Sequence, residues 1–114
     1  MKVISNRGFL LVSPKEPFIR WLFSHDDFDE KEEKIYQEKS LYAVKSLVMP
    51  SKENILAEVK RVYKKIFHNE LWAWYEDPAI PTKVSFEMFN EWFGWEYIGE
   101  CHDTCIGWIA TEKV

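Results

Sequence analysis

Glycine is scarce in this chain, with four in 114 residues, at positions 8, 94, 99 and 107. None occurs from residue 9 to residue 93, so no glycine-rich turn can be drawn that would cradle a phosphate. P-loop and dinucleotide-binding turns are excluded on that ground. The gap also excludes a calcium loop of the EF-hand kind, which needs glycine at its sharp turn. The carboxylates Asp26, Asp27, Asp29, Glu30, Glu32 and Glu33 crowd one stretch, and without that loop they read as a solvated acidic segment. Cysteine is nearly as rare. In an extended strand Cys101 and Cys105 would stand about 13 Å apart, too far for a disulfide. Their Cys-x3-Cys spacing has no second cysteine pair, and His25 and His68 are distant in sequence. This is neither a zinc nor a haem signature, and the two read as reduced thiols with no metal and no cofactor. No Gly-x-Ser-x-Gly elbow is present, and no catalytic residue can be named.

Long apolar runs are also missing. Phe9-Leu10-Leu11-Val12 is the only continuous one near the N-terminus. It falls far short of the ~18 residues of a membrane helix and is too short for the core of a signal peptide. The expected location is the cytoplasm, with no membrane partner. The net charge of −4 is unevenly spread. Residues 1–24 and 52–69 each carry +3, whereas 25–34 carry −4 and 70–103 carry −7. An acidic C-terminal half lacks the cations that phosphate contacts need, so no nucleic-acid partner is expected. Lys60, Arg61, Lys64 and Lys65 recur at helical spacing and read as the wet face of a helix.

Aromatic residues are abundant. They make up 17% of the chain, and five of the six tryptophans (Trp72, Trp74, Trp92, Trp95, Trp108) fall after residue 71. Each brings a large apolar surface and an indole N–H that needs an acceptor. A chain of this length folds as one domain and buries roughly two-thirds of its unfolded surface. Rings must therefore supply much of the core of a single domain spanning residues 1–114.

The order of elements follows from pattern and punctuation. Gly8 to Ser13 reads as a strand closed by Pro14. Ser13 and Glu16 have capping-box spacing, and Phe18, Ile19, Trp21, Leu22 and Phe23 follow as a short apolar helix. Leu41 to Met49 reads as a second strand, ended by Pro50. Ser51 then caps the clearest helix, Lys52 to about His68 or on through Leu71 and Trp74 to the breaks at Asp77-Pro78 and Pro81, on which Ile55, Val59, Val62 and Ile66 recur at steps of four, three and four. Ser85 caps another helix, with Phe86, Phe89 and Phe93 on one stripe and Gly94 as its stop. Trp95 to Cys101 alternates like a strand, and Ile106 to Thr111 is either a fourth strand or an ordered tail. The order β-α-β-α-α-β(-β) predicts an α+β fold, a small mixed sheet of three or four strands with about three helices on one face.

Several segments resemble a family of small uncharacterised bacterial proteins. Pro14 to Leu22 is similar to an opening of the type Lys-Pro-x-x-Pro-Phe-x-x-Trp-Leu. Phe67, Leu71 and Trp74 match a Phe-x-x-x-Leu-x-x-Trp pattern, and Phe89 to Phe93 a Phe-x-x-Trp-Phe pattern. The likeness runs from about Phe9 to Asp103. It departs from the family at Ile80, where a Trp is usual before the proline, and near Val84, where an Arg is usual. The resemblance implies a fold and a compartment but no activity.

Three functional expectations follow. The first is a non-enzymatic accessory or interaction module with an aromatic and acidic surface at Trp72, Trp74, Glu76 and Asp77, joined by Trp92. Its partner would be another protein or a second copy of the chain. Trp72 and Trp74 lie about 200° apart round a helix, so one of them is exposed or covered by another element. The second is a small hydrolase-like or other acid/base enzyme using carboxylates near Trp74, Glu76 or Asp77 with Glu96 or Asp103. The third is a metal site at Cys101, His102 and Cys105. Convergence of Lys15, Trp21, Trp74, Asp77 and Asp103 on one concavity would mark a ligand site.

Overall fold

The computed structural model describes residues 1–24, 38–73 and 81–114. The expected acidic segment at 25–34, together with Trp74, Glu76 and Asp77, lies outside the described residues. The elements run β1 (Lys2–Val3), β2 (Arg7–Pro14), α1 (Glu16–Ser24), β3 (Ser40–Lys45), α2 (Lys52–Trp72), α3 (Phe86–Trp92), β4 (Phe93–Ile98) and β5 (His102–Asp103). The fold is α+β, as the pattern of elements predicts.

One sheet has the order β3-β2-β4 and the other pairs β1 with β5. Every pairing is antiparallel, so the sheet is not mixed as expected, and the right-handed crossover rule for parallel strands has no application. The central strand β2 sets the register. Leu10 stands opposite Tyr42 on one side and Tyr97 on the other, and Val12 stands between Ser40 and Trp95. Strand side chains alternate, so Leu10, Val12, Tyr42, Val44, Trp95 and Tyr97 share one face. That face carries the main core. Gly8 lies on it too, and the Tyr97 ring occupies its missing side chain: a Cβ there would stand 2.5 Å from the Tyr97 oxygen.

The helices cover this face. On α2, Val59, Val62, Ile66, Phe67 and Leu71 are buried, which is the 3.6-residue stripe continued one turn past His68. Ser51 accepts from the Asn54 N–H and caps it. Ser85 does the same for α3 through the Met88 N–H. α3 passes straight into β4, because Phe93 takes extended geometry (φ −136°, ψ 143°) rather than leaving Gly94 as a helix stop. The core is built of rings. Phe18 and Phe93 lie 5.0 Å apart, Phe67 and Trp92 5.2 Å apart, and Tyr63 meets Phe86 edge-on at 5.4 Å. Such pairs add roughly 0.5–1.5 kcal/mol beyond area burial. The Trp95 indole donates to Asn90 Oδ1 at 2.8 Å, which satisfies the polar edge of a half-buried ring.

Three strand expectations shift. The second strand stops at Lys45 rather than Met49, because its partner β2 begins at Arg7, opposite Lys45. Ser13 belongs to β2 and faces Gly94, so the helix start falls to Lys15, whose carbonyl accepts from the Ile19 N–H. Residues 106–111 form no strand. They leave the β1–β5 ribbon through a bend at Gly107, where φ is +98°, a conformation that favours glycine. Among the described residues, no helix is long and apolar enough to cross a membrane.

Candidate binding groove

A sheet edge and a helix flank create the candidate site. Among the described residues β3 is an edge strand, and its outward N–H and C=O groups face no described strand. α2 packs over its inner face. The helix buries one stripe, and Arg61, Lys65 and Asn69, at steps of four, lie beside β3, with Trp72 three residues further along the helix. Between them lies a concavity of about 410 Å³ lined by Tyr42, Ala43, Val44, Arg61, Val62, Lys65, Ile66 and Asn69. Three consecutive strand residues line it although their side chains alternate between faces. The groove therefore lies between β3 and α2. A second, shallower concavity of about 550 Å³ continues it, lined by Lys64, Lys65, His68, Asn69 and Trp72. Lys65 and Asn69 belong to both.

The floor is apolar, from Val62 and Ile66. The ends are polar and tied. Tyr42 donates its hydroxyl to Glu70 Oε2 at 2.5 Å and accepts from Asn69 Nδ2 at 2.9 Å. Ser40 donates to the same carboxylate at 3.1 Å. Burial first, and then the Glu70 carboxylate, push the Tyr42 hydroxyl well above the ordinary tyrosine value. At neutral pH it stays a neutral hydrogen-bond donor. The cluster holds β3 onto α2. At the other end Glu58, only 6% exposed, is paired with Arg61, whose Nε donates to it at 2.5 Å. A buried carboxylate needs such a partner. Arg61 is thereby neutralised, and Lys65 has no charged partner among the described residues. Trp72 is 50% exposed, its ring 5.5 Å from the His68 ring.

The residues expected to form a site are dispersed. Lys15 donates its N–H to the Trp92 carbonyl and its ammonium to the Asn90 carbonyl, each at 2.8 Å. The α3 helix has no basic residue in its own last turn, and Lys15 supplies that charge from β2's end. Trp21 and Trp92 are half-buried and face each other at 6.2 Å on the edge of the core. Asp103 lies on the β1–β5 ribbon, 3.7 Å from the Lys2 ammonium, and accepts from the Cys105 N–H. Glu96 is exposed on the sheet's outer face, across from Leu11. Lys15, Trp21 and Trp92 thus gather at the ring core, Asp103 sits at the ribbon, and Trp72 alone lies in the groove. Cys101 and Cys105 are free thiols. Among the described residues, no three His, Cys, Asp or Glu side chains come together in a metal-holding group.

Sequence reasoning missed the groove because its parts carry no chemical signature. Lys65 and Arg61 read as solvated charge, Tyr42 reads as strand filler, and Ser40 falls outside the expected strand. The available signal was geometric: a mixed polar and aromatic flank on a helix following a strand that ends at a chain edge. The chain matches no protein-family model, no curated protein and no solved structure.

Proposed function

We propose that the protein is a cytoplasmic, non-enzymatic interaction module that takes an extended peptide segment along the β3 edge. The single observation carrying this reading is the groove itself. Beside a strand edge that no described strand pairs, a concavity lined in part by Val62 and Ile66 shares Lys65 and Asn69 with a second one on the α2 flank that reaches half-exposed Trp72. Strand addition needs these parts: main-chain hydrogen bonds give affinity, and a groove for alternate side chains gives selectivity. The dimensions agree. The six residues of β3 span about 20 Å. The α2 flank from Arg61 to Trp72 spans about 16 Å. The groove is aromatic and basic through Lys64, Lys65, His68 and Trp72 and favours segments with carboxylates at one end, while Trp74, Glu76 and Asp77 of the expected aromatic and acidic surface lie outside the described residues.

The test is a displayed library of ten-residue random peptides panned on the immobilised protein. Selected peptides are then mapped by amide chemical shifts. The reading expects perturbation of residues 41–44 and 65–72, and at least a threefold weaker affinity for Lys65→Glu. Selected peptides that map only to the ring core edge or to the ribbon would refute it.

A further inference from the structure

We infer that the segment occupying this groove is residues 106–111 of a second copy of the chain, exchanged reciprocally to close a dimer. This rests on the peptide-binding reading above and names its occupant.

The first argument is exposure. Residues 104–114 are exposed throughout, and they include Ile106, Trp108, Ile109 and Val114. Trp108 is 95% exposed. Its ring carries the Lys2 ammonium at 5.5 Å, a contact that covers little of it. Single exposed apolar residues are ordinary, but a run of large ones on a short segment marks an interaction site.

The second argument is pattern. In an extended segment Ile106, Trp108 and Ala110 lie on one side and Gly107, Ile109 and Thr111 on the other. Both sides are apolar or small. The β3 edge offers apolar neighbours on both sides. Val62 and Ile66 floor the groove on the helix side, and Leu41 (54% exposed) and Ala43 stand beside it on the outer face. The segment contains no proline, so every N–H can join a ladder. Its six residues equal the six of β3.

The third argument is area. An extended chain exposes about 1.45 Å² per dalton, so the roughly 1 kDa from Ile106 to Val114 exposes about 1,400 Å². Covering about half of that on each of two tails, with matching area on each acceptor, exceeds the ~1,600 Å² of a standard stable interface. Reciprocal exchange gives an isologous, closed pair and leaves no open end to propagate. Gly107, at φ +98° in this structure, takes extended geometry in the exchanged segment, a change that glycine makes without strain.

The test uses the full chain. A nitroxide is placed on exposed Cys105 in a Cys101→Ser background and mixed with isotope-labelled chain free of nitroxide. Broadening of the amides of residues 41–44 in the labelled copies is expected. Sedimentation should show a concentration-dependent dimer, and Trp108→Ser/Ile109→Ser should raise its dissociation constant at least tenfold and abolish the broadening. A chain that sediments as a monomer up to millimolar concentration overturns the inference. So does a dimer indifferent to the double substitution, or one whose broadening falls on residues 93–98 of the other sheet edge. None of these three results touches the displayed-peptide experiment. If selected peptides occupy the groove while these fail, only the identity of the occupant falls.

Discussion

The two ends of the central strand lie in different physical settings. At its Pro14 end, β2 meets a dry layer where Phe18, Phe67, Phe89 and Phe93 interlock and every large side chain has ring neighbours. Before its Arg7 end the chain continues from a two-stranded ribbon, Lys2–Val3 on His102–Asp103, held by Lys2 with Asp103 and by one backbone bond from Ile4 to Cys101. The first region derives stability from buried area. The second exposes Val3, Ile106, Trp108 and Ile109 and contributes little to it. A two-stranded ribbon is marginal by itself. Tryptophan-rich composition therefore does two jobs here: Trp92 and Trp95 are packing, and Trp72 and Trp108 are surface.

The strongest way to break this contrast is to remove one ring from each end. Phe67→Ala should cost about 3–5 kcal/mol, read by urea unfolding, because the site is fully buried among rings that cannot collapse into the gap. Gly8→Ala should cost about 1–3 kcal/mol, because the added carbon meets the stiff Tyr97 ring at the face shared by both strand pairs. Tyr97→Ala in the same chain should relieve that clash, giving a less than additive double loss.

Tyr42→Phe is expected to cost about 1–2 kcal/mol at neutral pH, since a hydroxyl donated to a carboxylate is lost. Its pH dependence has a fixed sign. The folded chain holds the Tyr42 proton more tightly than the unfolded chain, so this stabilisation is complete below the ordinary tyrosine value near 10 and is lost as pH rises above it. Stability curves of the two chains should run parallel below about pH 9 and approach each other above about pH 10. The smallest effect belongs to the tail. Trp108→Ser should change monomer stability by less than about 0.5 kcal/mol, because the ring is almost wholly exposed and Lys2 is its ring contact among the described residues. A Trp108→Ser loss as large as that of Phe67→Ala would erase the distinction between the two ends.

What the sequence made legible follows the same division. The buried stripe on α2, the serine caps at Ser51 and Ser85, and the aromatic core could be read because periodicity and capping are local signals. The end of β3 could not, since Leu47, Val48 and Met49 look as strand-like as Leu41 to Val44, and only the partner strand's start at Arg7 decides where pairing stops. The two-residue ribbon strands are too short and polar to carry a pattern. The groove needed tertiary knowledge. Whether Lys65 is solvated charge or the rim of a cleft depends on where an edge strand lies, which no helical spacing encodes.

The pairing of β2 with β4 sets an order of events during synthesis. Leu10 and Val12 leave the ribosome early, but Tyr97 and Trp95, which flank them on one side, follow more than eighty residues later. Closing so wide a loop is slow, and one edge of β2 stays unpaired until β4 emerges, although β3 and α2 are made earlier. A nascent chain of this protein thus carries one bare edge of its central strand through most of its translation.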